Sequence, residues 1–437
     1  MGKGGQRAAP TQGPAKSLAT ASSSTTSGWK SPYNPLDPNA PPLPTKGEIK
    51  AVIPKECFER SYVKSMFYLL RDVAQGAALV YLTSRVLSTD VPSLNSSPPL
   101  EVVTWIVGWS MYAFWMGAIM TGPWVLAHEC GHGAFSPSQT WNDMVGFVVH
   151  QFLLVPYFAW QYTHAKHHRR TNHLVDGESH VPSTKSENGL GPHNERHSFY
   201  AAWHEAMGDG AFAAFQVWTH LAVGWPLYLL GLASTGRLAH DGTLLETKGA
   251  VADHFRPTSP MFPAKLSGKI LLSTATVIAS LVGLGYLQWK IGFVPVFLWY
   301  WAPYLWVNAW LVLYTWLQHT DPSVPHYGEG EWTWVRGALS TIDRDYGIFD
   351  YFHHTIGSTH VVHHLFHEMP WYNAGIATQH VKAFLEPRGL YNFDPTPWPR
   401  AMWKIAHTCH YVEDVQGIQY FKSLEDVPRS GSKSKSS

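Results

Sequence analysis

Long apolar windows alternate with polar stretches along the chain and predict a helical membrane protein. A helix that crosses the hydrocarbon core of a bilayer, about 30 Å thick, needs roughly 20 apolar residues. Five windows meet that length: 67–87, 100–126, 211–233, 270–289 and 293–316. A shorter apolar stretch, 144–160, fits an interfacial or re-entrant helix better. We therefore predict an all-α, integral membrane fold.

The distribution of lysine and arginine predicts how these windows cross the membrane. Residues 1–65 contain nine of them and residues 88–99 contain none, so the first connection between spans is predicted to be lumenal. The connection 237–269 contains five, which predicts that it is cytosolic and that window 211–233 lies in the interface without crossing. Four spans remain, with both termini and a helical cap on the cytosolic side.

The composition agrees with a membrane protein. Only 14% of the residues are charged, whereas 14% are aromatic, including 21 tryptophans, a residue that favours membrane–water interfaces. The formal net charge of +1 gives no electrostatic argument for binding nucleic acid. The three cysteines lie far apart without a CxxC spacing, which argues against a disulfide framework and against a thiolate metal site.

The two ends of the chain, residues 1–40 and 426–437, are predicted to be disordered tails. Residues 1–36 contain no Asp or Glu and many Ser, Thr, Ala, Gly and Pro residues, a composition that does not build a packed core. The same composition also fits an organelle transit peptide. The folded domain is predicted to span residues 41–425.

Three histidine clusters carry the candidate chemistry. The segments HECGH, HAKHH and HVVHH each place histidines three or four residues apart, and in a helix such positions share one face. The side chains in the clusters are His128, His132, His164, His167, His168, His360, His363 and His364. One first-row metal ion takes about four to six donors, so this set predicts a site for two ions side by side.

Other histidines are weaker candidates for metal binding. His319, three residues after the last apolar window, is the best ninth ligand, and His354 is a weaker one. The histidines predicted to be outer neighbours or unrelated to the site are His150, His173, His180 and His367.

Alternative explanations fit the clusters less well. A single histidine is usually an ordinary surface or helix-end residue, but three clusters with helical spacing are not independent accidents. Bis-histidine haem ligation leaves the paired HH steps unexplained. HECGH matches the HExxH pattern with Glu129 as a base, but a zinc hydrolase needs only three protein ligands. A metal transporter would place its ligands at mid-membrane depth, whereas these clusters lie beyond the span ends.

An all-imidazole site suits redox chemistry on a lipid. It differs from the carboxylate-rich sites of soluble di-iron bundles, and imidazole is a good ligand for iron. A pair of irons can activate O₂ into an oxidant that takes hydrogen from an unactivated methylene. A substrate with such methylenes that is reached from the membrane is a lipid acyl chain.

The sequence resembles the membrane fatty acid desaturase superfamily, and most closely its acyl-lipid omega-6 (delta-12) oleate desaturases. The similarity runs from about residue 41 to about residue 377. The segments that carry it are AHECGHGAFS, LLVPYFAWQYTHAKHH, LQHTDPSVPHY, EWTWVRGALSTIDRDYG and THVVHHLFHEMPWYNA. The family's three histidine boxes fall on residues 128–132, 164–168 and 360–364, and the additional ligand of a relative falls on His319.

The resemblance implies two iron ions on these histidines, O₂ as co-substrate, and electrons from cytochrome b5 and its NADH-dependent reductase. It also implies an oleoyl group on a phospholipid as the substrate. It places the protein in the endoplasmic reticulum membrane with cytosolic histidine boxes, although the long amino-terminal tail leaves a plastid membrane open. Cytochrome b5 is predicted to dock on the basic side chains Lys166, Arg169 and Arg170.

The same scaffold leaves other outcomes open. Residues beside the boxes could direct the oxidant to hydroxylation, epoxidation, a triple bond or an omega-3 double bond. The sequence does not determine whether the protein forms a homo-oligomer.

Overall fold

The structure is a computed structural model that describes residues 29–190, 199–233, 236–248 and 251–427. Most of the two predicted tails lies outside the described residues. Residues 29–40 are described, however, and they pack on the folded chain. Tyr33 is buried, and Ser31 Oγ donates a hydrogen bond to Asn392 Oδ1 at 2.8 Å. Residues within the stretch 29–40 therefore contact the folded chain.

Helices dominate the described residues, which confirms the predicted all-α class. In chain order they are α1 (Lys46–Ala51), α2 (Tyr62–Ser84), α3 (Pro99–His132), α4 (Gln139–Phe152), α5 (Tyr157–Arg169), α6 (Phe199–Met207), α7 (Asp209–Leu229), α8 (Leu245–Lys248), α9 (Ser267–Ile291), α10 (Phe293–Val296), α11 (Ala302–His319), α12 (Trp334–Leu339), α13 (Ile348–Phe352), α14 (His360–Leu365), α15 (Trp371–Leu385) and α16 (Trp398–Thr408). A π-helical turn, Phe297–Trp301, joins α10 to α11. Short 3-10 turns occupy Lys55–Phe58, Ala264–Leu266, Glu386–Arg388 and Leu424–Asp426. The strands β1 (His326–Tyr327) and β2 (Ile418–Gln419) form an antiparallel pair, with His326 opposite Gln419.

In the described part of the chain, three helical stretches are long and apolar enough to cross a membrane. They are Pro99–His132, Ala264–Ile291 and Phe293–His319, and they coincide with three of the predicted windows. The pair α4 and α5, bent by 109° at a short break, makes a fourth if it counts as one broken span, and is otherwise a re-entrant loop. With α4 and α5 counted as one span, the number of candidate spans is the predicted four, but the four include this bent pair instead of the predicted window 67–87.

The first predicted span, 67–87, forms α2 but is not among these three stretches. α2 lies antiparallel to α3, because Leu69 packs with Leu126 at one end and Leu87 with Trp109 at the other. α2 is therefore as long as a spanning helix and packs beside one, but it is less apolar than a spanning helix.

Two charged residues explain why α2 is not apolar enough to be a candidate span. Arg71 and Asp72 lower its mean hydropathy, and they form an ion pair, with Arg71 Nη2 2.7 Å from Asp72 Oδ1. Asp72 is buried against the protein, whereas Phe67 and Leu70 on the outer side are exposed. The polar side of α2 thus faces inward.

Window 211–233 forms α7, which is not a candidate span either, in agreement with the prediction that it does not cross. α7 packs along α11, since Ala213 lies in one buried cluster with Leu317 and Trp225 in another with Leu311. The two helices together form the wall of a cavity described below.

α1 and the chain after α11 together form a helical cap over the end of the bundle that carries the histidines. α1 begins with a capping box in which Thr45 and Glu48 satisfy each other's backbone N–H groups. A buried apolar cluster joins α1, α12, α14 and α15 through Ile49, Leu339, Val361, Val362, Leu365, Ala377 and Val381. The apolar side of α14 is therefore anchored in the cap.

α3 and α11 approach each other closely at Gly117, where an added Cβ would lie 2.3 Å from Trp306 Cβ and 3.0 Å from Pro303 O. We expect Gly117→Val to lower the Tm of the detergent-solubilised protein, because overpacking typically costs about 1–3 kcal/mol. Gly283→Val on α9 is the matched control, since an added Cβ there would meet nothing within 4 Å. Equal melting temperatures for the two variants would contradict this close packing.

Candidate metal centre

The predicted clusters and His319 lie at helix ends on one side of the bundle. α3 ends directly after His132, where Gly133 takes the left-handed conformation with φ of 74°. The side chains brought to this side are His128 and His132 at the end of α3, His164, His167 and His168 at the end of α5, His319 at the end of α11, and His360, His363 and His364 in α14.

The ring nitrogens sort into two groups. In the first group, one nitrogen from each ring lies within 4.8 Å of all the others, and the members are His128, His132, His164, His168 and His363. The second group, by the same measure, consists of His167, His319 and His364. His360 adjoins the second group, with its Nε2 3.0 Å from His319 Nε2. The structure thus brings all nine predicted residues together around two neighbouring points.

Within the first group, the nitrogens have the spacing of ligands that share an ion. The Nε2–Nε2 distance is 3.1 Å between His128 and His132, and 3.1 Å between His164 and His168. Two nitrogens that lie about 2.1 Å from one ion and at right angles are about 3.0 Å apart.

The second group argues against simple hydrogen bonding between rings. His319 Nε2 lies 3.2 Å from His167 Nε2 and 3.0 Å from His360 Nε2. A ring nitrogen carries either one hydrogen or one lone pair in its plane, so His319 Nε2 cannot serve both neighbours at once. A shared metal ion accounts for the convergence of all three nitrogens.

The paired HH steps explain why there are two groups. Adjacent residues on an α-helix point about 100° apart. His167 belongs to the second group and His168 to the first, and His363 and His364 are divided in the same way. The two groups touch, since the rings of His168 and His364 stack with centroids 4.2 Å apart. Each HH step therefore directs one imidazole to each metal position.

Two hydroxyl groups orient rings of the second group. Ser179 Oγ is 2.8 Å from His167 Nδ1, and Thr171 Oγ1 is 3.0 Å from His364 Nδ1. Partners of this kind fix the ring orientation and leave the other nitrogen free to bind a metal. Neither hydroxyl was predicted, because a lone Ser or Thr outside the boxes gives no signal.

Glu129 lies beside two rings of the first group. Its Oε1 is 3.4 Å from His128 Nδ1 and 4.0 Å from His363 Nδ1, and its Oε2 accepts a hydrogen bond from the Trp371 backbone N–H at 3.1 Å. Glu129 thus lies between the two imidazoles as their nearest carboxylate, without a hydrogen bond to either ring.

The α14 rings are in the state that a metal ligand requires. Burial, reinforced by neighbouring imidazoles, lowers the pKa of His363 and of His364 well below the usual range, so both rings are neutral. The Nε2 atom of each is buried and has no hydrogen-bond partner among the described residues. Buried polar atoms are normally paired, so two unpaired ring nitrogens, one in each group, fit a metal site.

A mainly apolar cavity of 170 Å³ adjoins both groups, several times the roughly 30 Å³ that one water occupies in the liquid. His164 of the first group lines it directly, and Ser179, the partner of His167, lies at its edge. Its other walls come from α3, α5, α7 and α11 and include Trp124, Trp160, Gly224, Trp225, Leu311 and Val312. The cavity offers an apolar ligand access to the metal positions.

The remaining histidines join neither group. His354, the weaker candidate, is engaged elsewhere, with its Nε2 2.7 Å from the buried Asp72 Oδ2. The histidines predicted to be outer neighbours or unrelated also join neither group: His150, His173, His180 and His367.

The basic surface predicted for cytochrome b5 is partly neutralised. Lys166 Nζ lies 3.1 Å from Glu178 Oε2, and Arg170 Nε lies 2.6 Å from Asp176 Oδ2. Arg169 is exposed. The prediction overlooked these pairs because the acidic partners lie six or more residues away in the chain.

Comparison with known proteins agrees with this site. The family model described as fatty acid desaturase matches residues 104–395, which include all nine histidines. The chain belongs to the fatty acid desaturase family. A second model, described as a domain of unknown function, matches residues 6–80. The resemblance found in the sequence is thereby confirmed, and the two-point histidine centre is the candidate metal centre of a membrane desaturase that acts on lipid.

Relatives within the desaturase family share most of the chain. An omega-6 fatty acid desaturase, endoplasmic reticulum, of Brassica juncea is 40% identical over 379 residues, which cover 86% of this chain and 90% of the relative. A delta(12) fatty acid desaturase of Mortierella alpina is 38% identical over 382 residues, with 86% and 90% covered. An oleate hydroxylase of Claviceps purpurea is 38% identical over 394 residues, with 85% and 78% covered.

Proposed function

We propose that this protein is an O₂-dependent di-iron desaturase that converts lipid-linked oleoyl groups to linoleoyl groups. The observation that carries the proposal is the convergence of nine imidazoles on two adjacent points beside an apolar cavity. The printed names of the relatives, delta-12 and omega-6 desaturases, support the position of the new double bond.

The residues present fit two irons. We assign His128, His132, His164, His168 and His363 to one ion, and His167, His319, His360 and His364 to the other. Neutral imidazole is a suitable ligand for iron, and no cysteine lies in either group, which disfavours a thiolate metal. Two irons held there would supply O₂ reduction and the removal of hydrogen from an unactivated methylene.

The reaction balances with the partners that the family implies. Each turnover removes two hydrogen atoms from adjacent methylenes and takes two electrons and two protons. One O₂ is reduced to two waters. The electrons come, in this proposal, one at a time from two molecules of reduced cytochrome b5, which NADH-cytochrome b5 reductase regenerates. The exposed Arg169 remains available for docking, while Lys166 and Arg170 contribute less than their number suggests.

The chain itself would bind and orient the acyl group. The indole and aliphatic side chains of Trp124, Trp160, Trp225 and Leu311 give the cavity its apolar wall, which favours methylenes and excludes water. His164, on that wall, would bring the bound methylenes next to the first ion. We assign the protein to the endoplasmic reticulum membrane with the centre on the cytosolic side, and a phospholipid as the acyl carrier.

A hydroxylase is the second candidate, because one relative of 38% identity is named an oleate hydroxylase. Hydroxylation uses the same O₂, electrons and protons, but it inserts one oxygen atom into a C–H bond and releases one water. The two reactions differ only in the fate of the substrate after the first hydrogen is removed.

Expression in a yeast that makes oleate but no linoleate tests the proposal. We expect a new 18:2 fatty acid with a cis double bond at the 12 position, found in phospholipids and dependent on O₂. A hydroxylated C18 product instead would favour the second candidate. Unchanged fatty acids at a normal level of membrane-inserted, iron-loaded protein would contradict both.

A further inference from the structure

The segment Ile342–Asp343–Arg344 is central to the family motif EWTWVRGALSTIDRDYG, yet it contains no metal ligand. It lies in the connection between α12 and α13, and all three residues are fully buried. Such complete burial of an Asp–Arg step is expensive unless both charges have specific partners. Its contacts lead to α11 and α14, two of the three helices that supply the second group.

On one side the segment holds the end of α11, next to His319. The Ile342 backbone N–H donates to Gln318 O at 3.0 Å, and Arg344 Nη1 donates to Leu317 O at 3.0 Å. These carbonyls belong to the last turn of the helix, where intrahelical partners are missing. The two bonds therefore fix the direction in which α11 ends.

On the other side the segment holds the beginning of α14, next to His360. Asp343 Oδ1 accepts a hydrogen bond from the Val361 backbone N–H at 2.8 Å. The Arg344 backbone N–H donates to Gly357 O at 3.0 Å. Three residues thus connect the ends of two helices whose imidazoles, His319 and His360, have Nε2 atoms 3.0 Å apart.

A third set of contacts fixes the segment itself. Tyr391 Oη donates to Asp343 Oδ2, and Arg344 Nη2 forms a buried ion pair with Asp394 Oδ2 at 2.6 Å. Backbone bonds run from Asp343 N–H to Asn392 O at 2.9 Å and from Asp394 N–H to Asp343 O at 3.0 Å. The segment is therefore held on three sides and cannot shift without breaking several bonds.

We propose that Asp343 is a positioning residue for the second metal: it locks α14 to the end of α11 and so sets the spacing of the His319 and His360 nitrogens. The inference rests on the proposed two-iron centre. The first group is less dependent on this lock, because four of its five rings come from α3 and α5. Loss of an outer partner typically lowers metal affinity about 10- to 100-fold.

Iron binding by the full-length protein in detergent tests the proposal. The protein is stripped with a chelator, titrated with Fe(II) without oxygen, and analysed for bound iron per chain. We expect two irons for the unaltered protein. For Asp343→Ala we expect a second iron that binds about 10- to 100-fold more weakly, with the first unaffected. Asp343→Asn should restore the second iron, because its amide oxygen still accepts from the Val361 N–H.

Tyr391→Phe and Tyr327→Phe form a matched pair of controls. Tyr391 bonds to the Asp343 carboxylate, whereas the equally buried Tyr327 Oη lies 3.1 Å from Ser340 Oγ, outside the segment. We expect the first substitution to weaken the second iron and the second to leave it unchanged.

The outcomes separate the two proposals. Two tightly bound irons in Asp343→Ala would overturn the positioning role and leave the two-iron centre standing. An equal loss in Tyr327→Phe, or no rescue by Asp343→Asn, would also overturn it. Failure of the unaltered protein to bind two irons would instead contradict the proposed function.

Discussion

We expect that replacing His363 by alanine will nearly eliminate formation of the 18:2 product, and that His167→Ala will have the same result. His363 contributes to the first group and His167 to the second, so each variant removes a nitrogen from a different metal position. Both rings are buried among the other histidines. We expect at least about a 100-fold loss of product, measured by fatty acid analysis of the expressing yeast.

His407→Ala is the control for these variants. His407 lies away from both groups, and its Nδ1 contacts Glu425 Oε1 at 2.6 Å on the surface. It should retain normal 18:2 formation at an equal protein level on immunoblots. If His363→Ala kept normal activity at that level, the imidazole cluster would not be the reactive centre.

Arg344→Met produces the largest loss of stability that we expect from a single substitution. Arg344 and Asp394 are both almost completely buried, with side-chain exposures of 1% and 2%. Removing the guanidinium leaves the Asp394 carboxylate buried without its counter-ion and leaves the Leu317 carbonyl without its donor. Breaking a buried pair in this way costs about 3–5 kcal/mol, which we expect as a drop in Tm of several degrees in detergent.

A surface ion pair supplies the comparison. Lys422 Nζ and Glu413 Oε1 are 2.8 Å apart, but their side chains are 49% and 40% exposed. Lys422→Met should change the free energy of unfolding by less than about 1 kcal/mol. Arg344→Met combined with Asp394→Leu should recover part of the lost stability, because no uncompensated charge remains. A similar Tm for the Arg344→Met and Lys422→Met variants would contradict the buried-pair argument.

The sequence predicted the elements that local pattern determines. Three apolar windows became α3, α9 and the helix that ends at His319, because their length and composition leave little alternative in a membrane. The histidine spacing predicted that each box presents one face, and the structure places the boxes together. The division of each HH step between two groups also follows from helix geometry, once the helices are known to meet.

Contacts between distant segments were not predictable in the same way. Asp72, a charged residue within a predicted span, is buried against His354, 282 residues further along the chain. Glu129, Thr171 and Asp343 act on histidines or their helices through tertiary contacts that leave no periodic signal. Their side chains acquire meaning only when the fold fixes which neighbours they meet.

The length of α3 determines where the chemistry takes place relative to the lipid. Trp105, whose indole donates to Ser88 O in the loop before α3, is expected to lie near the far membrane surface, since tryptophan favours that level. From Trp105 to His132 the helix rises about 40 Å, whereas the hydrocarbon layer is only about 30 Å thick. Under the proposed function, the reacting carbons would leave the hydrocarbon layer to reach the histidines, and each methylene left in contact with water would cost about 0.8 kcal/mol. The indole rings of Trp124, Trp160 and Trp225, which line the cavity beside His164, would shield those methylenes from water.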